Sequence, residues 1–160
     1  MNMQQPESRE TNTLKSTLLA AYTTKLGDLR KEIEAYENED NIWKVAEGII
    51  NSGGNLCLHL VGNLNHFIGA MLGDTGYVRE RDLEFSEKGL SREELLHRIE
   101  EVTGIVENTI SGMTTEELAE DYPEKLFDKQ MDKGTILAYM SGHLSYHLGQ
   151  LNYHRRLLDK

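Results

Sequence analysis

The sequence predicts an all-α fold, a four-helix bundle. Two observations carry this. Apolar residues recur at three- and four-residue steps in four long segments, and the 160-residue chain holds only two prolines in a composition poor in strand formers. A chain of this length makes about one domain with a core of its own. Residues 1–12 (MNMQQPESRETN) lack an apolar stretch and are expected to be a poorly ordered lead-in, not a signal peptide, leaving residues 13–160 as the bundle.

The first segment runs from about Thr13 to Tyr36. Leu14, Leu18, Tyr22, Leu26, Leu29, Ile33 and Tyr36 form one stripe, with Lys15, Lys25, Arg30, Lys31 and Glu32 elsewhere. The acidic run ENEDN ends it, and NSGGN punctuates the chain before the second helix. That helix, NLCLHLVGNLNHFIGAML from Asn55 to Leu72, is apolar over a wide arc, as burial by two or more neighbours requires. Gly73 to Gly89 is the longest irregular stretch, and loops of this length are functional or cross the fold.

Ser91, with Glu94 three residues on, predicts a capping box at the start of the third helix. Leu95, Ile99, Val102, Val106 and Ile110 then face inward. TTEELAEDYP reads as a short helical turn capped by Thr114 and ended before Pro123. Lys133 to Leu158 is the fourth long helix. Four such helices imply a bundle.

Charge and composition exclude some functions. A net charge of −10 opposes binding to nucleic acid, whose affinity rests on Lys and Arg neutralising phosphates. No run of about 18 uncharged apolar residues occurs, so no membrane span is expected. The single cysteine, Cys57, cannot form an internal disulfide and fits a reducing compartment, most simply the cytoplasm.

Half of the six histidines lie in the last helix, within GHLSYHLGQLNYHRRL. With His143 at zero on the helical wheel, His147 lies at about 40°, Gln150 at about −20° and His154 at about 20°. Met140, Leu144, Leu148 and Leu151 flank them on one side, and Tyr139, Tyr146, Tyr153 and Leu157 on the other. His143 and His147 thus occupy the middle of the apolar face. They are either hydrogen-bonded core residues or metal ligands, since an i, i+4 pair brings both rings within reach of one ion. A metal needs a further ligand. The second helix offers His59 and His66, with Asn63 between them and Gly62 and Gly69 beside them, where another backbone can come close. His66 reads as a boundary residue, while periodicity does not decide for His59.

Most other candidates carry two readings. Gln150 can orient a ligand or serve as a core hydrogen-bonding group. His154 lies about 10 Å along the helix from His147, too far for a shared ion, and is read as a non-ligand or as lining the mouth of the site. Arg81, Asp82 and Glu84 can supply a base or an extra ligand, or pin the loop by salt bridges. Cys57, about 160° around the helix from His59, is read as a buried apolar residue. Trp43 and the three tyrosines line a pocket or, on the safer account, pack in the core. His97 belongs to a solvated turn.

The segments NSGGNLCLHLVGNLNHFI, RERDLEF and GHLSYHLGQL, in that order, resemble the DinB-like superfamily of metalloenzymes, in a bacterial branch without assigned activity. The resemblance covers nearly the whole chain after the lead-in. It implies an up-down-down-up bundle, with the Gly73–Gly89 connection crossing between helices two and three. It also implies a divalent metal on His59, His143 and His147, with zinc and nickel both suited to imidazole. Three neutral imidazoles leave a position open for water or substrate, as at catalytic sites. Some relatives are thiol-dependent S-transferases or isomerases, some are called hydrolases, and many have no known activity. The resemblance thus implies an enzyme activating a low-molecular-weight thiol or water toward a small electrophile. The alternative is a non-catalytic metal-binding bundle. A homodimer is expected on either reading.

Overall fold

The computed structural model describes residues 13–160, so the expected lead-in lies outside the described residues. Four long helices form the body: α1 (Leu14–Glu34), α2 (Gly53–Leu64), α4 (Arg92–Gly112) and α6 (Lys133–Leu158). Short helices α3 (Arg81–Ser86) and α5 (Thr115–Leu118) lie in the connections. A 3-10 turn, Glu39–Trp43, follows α1. Among the described residues there is no β-strand, only isolated bridges.

Contacts along the helices set their directions. Tyr22 donates to the Leu137 carbonyl (2.7 Å) and Arg155 pairs with Glu32 (2.7 Å), so α1 and α6 run parallel. Lys15 reaches the Met113 carbonyl and Arg92 the Tyr36 carbonyl, so α4 runs against α1. Gly69 faces Ile105 and Gly73 faces Thr109, which makes α2 and α4 parallel. Gly53 lies by His154 and His59 by His143, so α2 and α6 are antiparallel. The order is up-down-down-up, as the resemblance implied. Joining two parallel helices requires a chain crossing from one end of the bundle to the other. That crossing carries α3, a helix inside a stretch expected to be irregular.

The predicted stripes are the core. Leu18, Tyr22, Leu26, Leu29 and Ile33 of α1 meet Leu95, Ile99, Val102, Val106 and Ile110 of α4, all buried. Each such side chain contributes roughly 1.5–3 kcal/mol of transfer free energy. Leu14, at the end of the α1 stripe, is exposed. Helix α2 starts two residues earlier than expected, because Gly53 and Gly54 are its first turn and Ser52 caps it. Their lack of a side chain has a packing cause. A methyl on Gly53 would strike the Tyr36 hydroxyl, and one on Gly54 would lie within 2.7 Å of the Trp43 ring.

From Leu64, α2 continues through a π-helical turn (Asn65–Ala70) into a last α-turn (Met71–Gly73). The run Gly53–Gly73 is long and apolar enough, by length and composition, to cross a membrane, contrary to the expectation from sequence. Here it is a core helix, and every residue from Gly53 to Leu64 is buried.

The capping box predicted at α4 is half formed. Ser91 accepts from the Glu94 amide, but the Glu94 carboxylate pairs with Arg98 (2.8 Å). At α5 both halves form between Thr114 and Glu117. Tyr139, Tyr146, Tyr153 and Leu157 are all exposed, which overturns the expectation that the tyrosines pack in the core. Helices α1 and α2 pack on the face of α6 that carries Leu137, Leu144 and Leu151 and leave that flank uncovered.

His154 is a core anchor. It is 2 % exposed, its Nε2–H donates to the Lys44 carbonyl (2.9 Å), and its Nδ1 accepts from the Tyr36 hydroxyl (2.7 Å). Burial lowers its pKa, with the Lys44 carbonyl partly opposing. The unfolded chain takes up a proton there near pH 6.5 and the folded chain only at lower pH. The stabilisation is therefore complete above about pH 6.5 and declines as pH falls toward the depressed folded value. Melting temperature should drop from pH 7 to pH 5, less steeply in His154→Gln. An equal slope in both would assign the proton uptake elsewhere.

Candidate metal centre

Helix α2 presents His59, and α6 presents His143 and His147. The Nε2 of His143 lies 3.2 Å from that of His59 and 3.1 Å from that of His147. The ligating atoms of all three lie within 4.8 Å of one another. Nitrogens about 2.0–2.1 Å from one tetrahedral ion would be about 3.3 Å apart. The cluster has the dimensions of a metal centre.

Proton bookkeeping points the same way. The Nδ1–H of His59 donates to Glu84 Oε2 (2.8 Å), which leaves its Nε2 as a lone pair. The Nδ1–H of His147 donates to Gln150 Oε1 (2.7 Å), with the same result. His143 Nε2 therefore faces two lone pairs, and a single proton on it can serve only one. A cation satisfies all three nitrogens at once. Burial and the neighbouring His147 and His59 lower His143 to a pKa of about 4, and burial also lowers His147. Both rings favour the neutral form that a metal requires.

The support of His59 is the feature the sequence reading left open. Glu84, 5 % exposed, is gripped by Arg79 through Nε (2.7 Å) and a terminal nitrogen (2.9 Å). Burial alone would raise the Glu84 carboxyl, but the hydrogen bonds from His59 and Arg79 outweigh it and hold it below its ordinary value. The carboxylate approaches α2 over Gly62, where an added methyl would collide with it. The small residue beside His59 thus admits a side chain, not a backbone. Phe85 packs on the His59 ring (centroids 5.0 Å apart) and Tyr146 on His147 (5.0 Å). His143 and His147 are only partly buried, and a groove lined by Ala138, Tyr139, Gly142 and Tyr146 opens at His143.

Other candidates fall outside the cluster. Asp82 is exposed, and Arg81 stacks over Phe85. His66 sits by Phe67, with Glu124 at 3.8 Å. His97 is exposed beside Glu101, and Trp43 donates to the Leu90 carbonyl. Cys57 is fully buried and its thiol is pushed up to about 12, so it is an inert core residue as expected. Arg79 was not singled out from sequence. The only signal along the chain was its place five positions before Glu84, at the start of the RERDLEF segment.

Fold and site together define an all-α bundle with a three-imidazole cluster able to hold a metal ion. The chain belongs to the family described as a protein of unknown function, DUF1572, whose profile matches residues 13–160. A crystal structure of a DinB-like protein from Bacillus cereus is similar, with a TM-score of 0.69 at 18% identity over 87% of this chain and 89% of that one. The chain thus has the DinB-like fold. No curated protein sequence matches it.

Proposed function

We propose that the protein is a metal-dependent enzyme that holds one divalent cation, zinc or nickel, on His59, His143 and His147. It would direct a low-molecular-weight thiol or water at a small electrophile, by S-transfer or hydrolysis. The observation that carries this reading is the convergence of three imidazole nitrogens, two of them fixed as lone pairs by Glu84 and Gln150. A cation there would supply Lewis acidity, bringing water or a thiol into its nucleophilic form near neutral pH. The chain's own residues do the remainder. Glu84 and Arg79 hold His59 in one tautomer, Gln150 holds His147, and Phe85 and Tyr146 wall the cluster. Three ligands rather than four, with two rings partly exposed, favour an accessible centre over a closed structural one. The buried, unpaired Cys57 fits the cytoplasm.

One observation favours a second reading, a dimeric binding or structural module. Tyr139, Tyr146, Tyr153 and Leu157 form an exposed flank on α6, and Ile50 is 89% exposed. A homodimer across this flank is compatible with either reading, but only the first requires turnover. The deciding experiment compares metal-loaded and stripped protein with small electrophiles and low-molecular-weight thiols. Turnover that requires the metal is the expected result. A large change in melting temperature on stripping, with no turnover of any substrate, would favour the structural module.

A further inference from the structure

Each ring in a histidine metal centre ordinarily donates its far N–H to an oxygen, which fixes tautomer and orientation. His59 has Glu84 for this and His147 has Gln150, whereas the buried Nδ1 of His143 has no partner among the described residues. Three buried side-chain atoms share that condition: His143 Nδ1, Asn63 Oδ1 and Arg92 Nε. Of the two atoms besides His143 Nδ1, only the Asn63 oxygen can accept a hydrogen bond. Arg92 lies at the start of α4, bound to the Tyr36 carbonyl.

The helices bring the first two to the same level. Gly53 N lies 3.3 Å from His154 Nε2, and α2 and α6 are antiparallel. His59 touches both His143 and His147 across this antiparallel pair, so Asn63, one turn further along α2, comes level with the turn of α6 from Tyr139 to His143. The wheel agrees. From His59, Gly62 lies at about −60°, toward Glu84, and Gly53 at about 120°, packed on Leu151 of α6. Asn63, at about 40°, lies between His59 and α6 and is 5% exposed. A buried carboxamide oxygen without a donor costs free energy, so a state of the protein that supplies one is favoured.

We propose that Asn63 is the positioning residue for His143, its Oδ1 accepting the His143 Nδ1–H, directly or through one water, when Nε2 binds the cation. The inference rests on the three-histidine centre proposed above. It completes a pattern in which every ligand ring is oriented by its own oxygen: carboxylate, amide, amide.

The test measures cobalt(II) and zinc affinity by chelator competition in the wild type, Asn63→Leu and Asn63→Asp. Nitrogen-15 NMR of the imidazoles in the zinc-loaded wild type accompanies it. Leucine removes the acceptor and should weaken binding by about 10–100-fold, whereas aspartate keeps an acceptor and should restore it. In the loaded wild type, the His143 Nδ1–H should be a slowly exchanging resonance. Wild-type affinity in Asn63→Leu, or failure of Asn63→Asp to restore it, would overturn the assignment. So would a fast-exchanging His143 Nδ1–H, which decides the matter even if the leucine variant does not fold. A wild type that takes up no ion, or that keeps it in His143→Ala, instead removes the centre itself.

Discussion

Alanine at His143 or at His147 should abolish metal uptake, and alanine at His59 should do the same. Two imidazoles remain in each case, and the centre has no fourth protein ligand among the clustered groups of the described residues to replace the lost one. Metal analysis should give about one ion per wild-type chain and almost none in the variants, since open sites are built on three protein ligands. A stability readout accompanies it. An ion at a free concentration of 100 times its dissociation constant stabilises the fold by about 2.7 kcal/mol, and the variants should lose that increment. Their melting temperatures should then be insensitive to added zinc. Metal retained in both His143→Ala and His147→Ala would show that the ion sits elsewhere.

Glu84→Ala should cause the largest loss of stability of any change outside the apolar core. The carboxylate lies between Arg79 and His59, with side-chain exposures of 6%, 14% and 8%. Its removal leaves a guanidinium buried without its counter-ion, a situation that costs about 3–5 kcal/mol. It also frees the His59 ring to adopt the other tautomer, so metal affinity should fall by about 10–100-fold. Glu84→Gln keeps an acceptor for His59 and should spare more of the affinity than of the stability. Urea unfolding of the stripped proteins checks the first effect, and chelator competition the second. A stability loss below about 1 kcal/mol in Glu84→Ala would mean that the pair is worth no more than a surface salt bridge.

Much of this architecture could be read along the chain. The α1 and α4 stripes, the bounds of α6 and the Thr114 cap follow from a helix's fixed angle per residue, which short-range spacing records directly. The errors share a cause. Gly53 and Gly54 looked like punctuation but are close-packing positions against Tyr36 and Trp43, residues ten or more positions away. Glu94 looked like half of a capping box, but Arg98, one turn on, takes its carboxylate. The tyrosine flank of α6 looked like core, although no helix packs against it.

The sequence by itself determined that an amphipathic last helix carries His143 and His147 on one face, because their four-residue spacing makes them neighbours on any α-helix. Its likeness to a family nominated His59. Only the tertiary structure decided that Glu84 and Arg79 reach His59 over Gly62 and that His154 ties Tyr36 to Lys44. Those pairings depend on which element covers which face, set by a crossing between two parallel helices. No local periodicity encodes it.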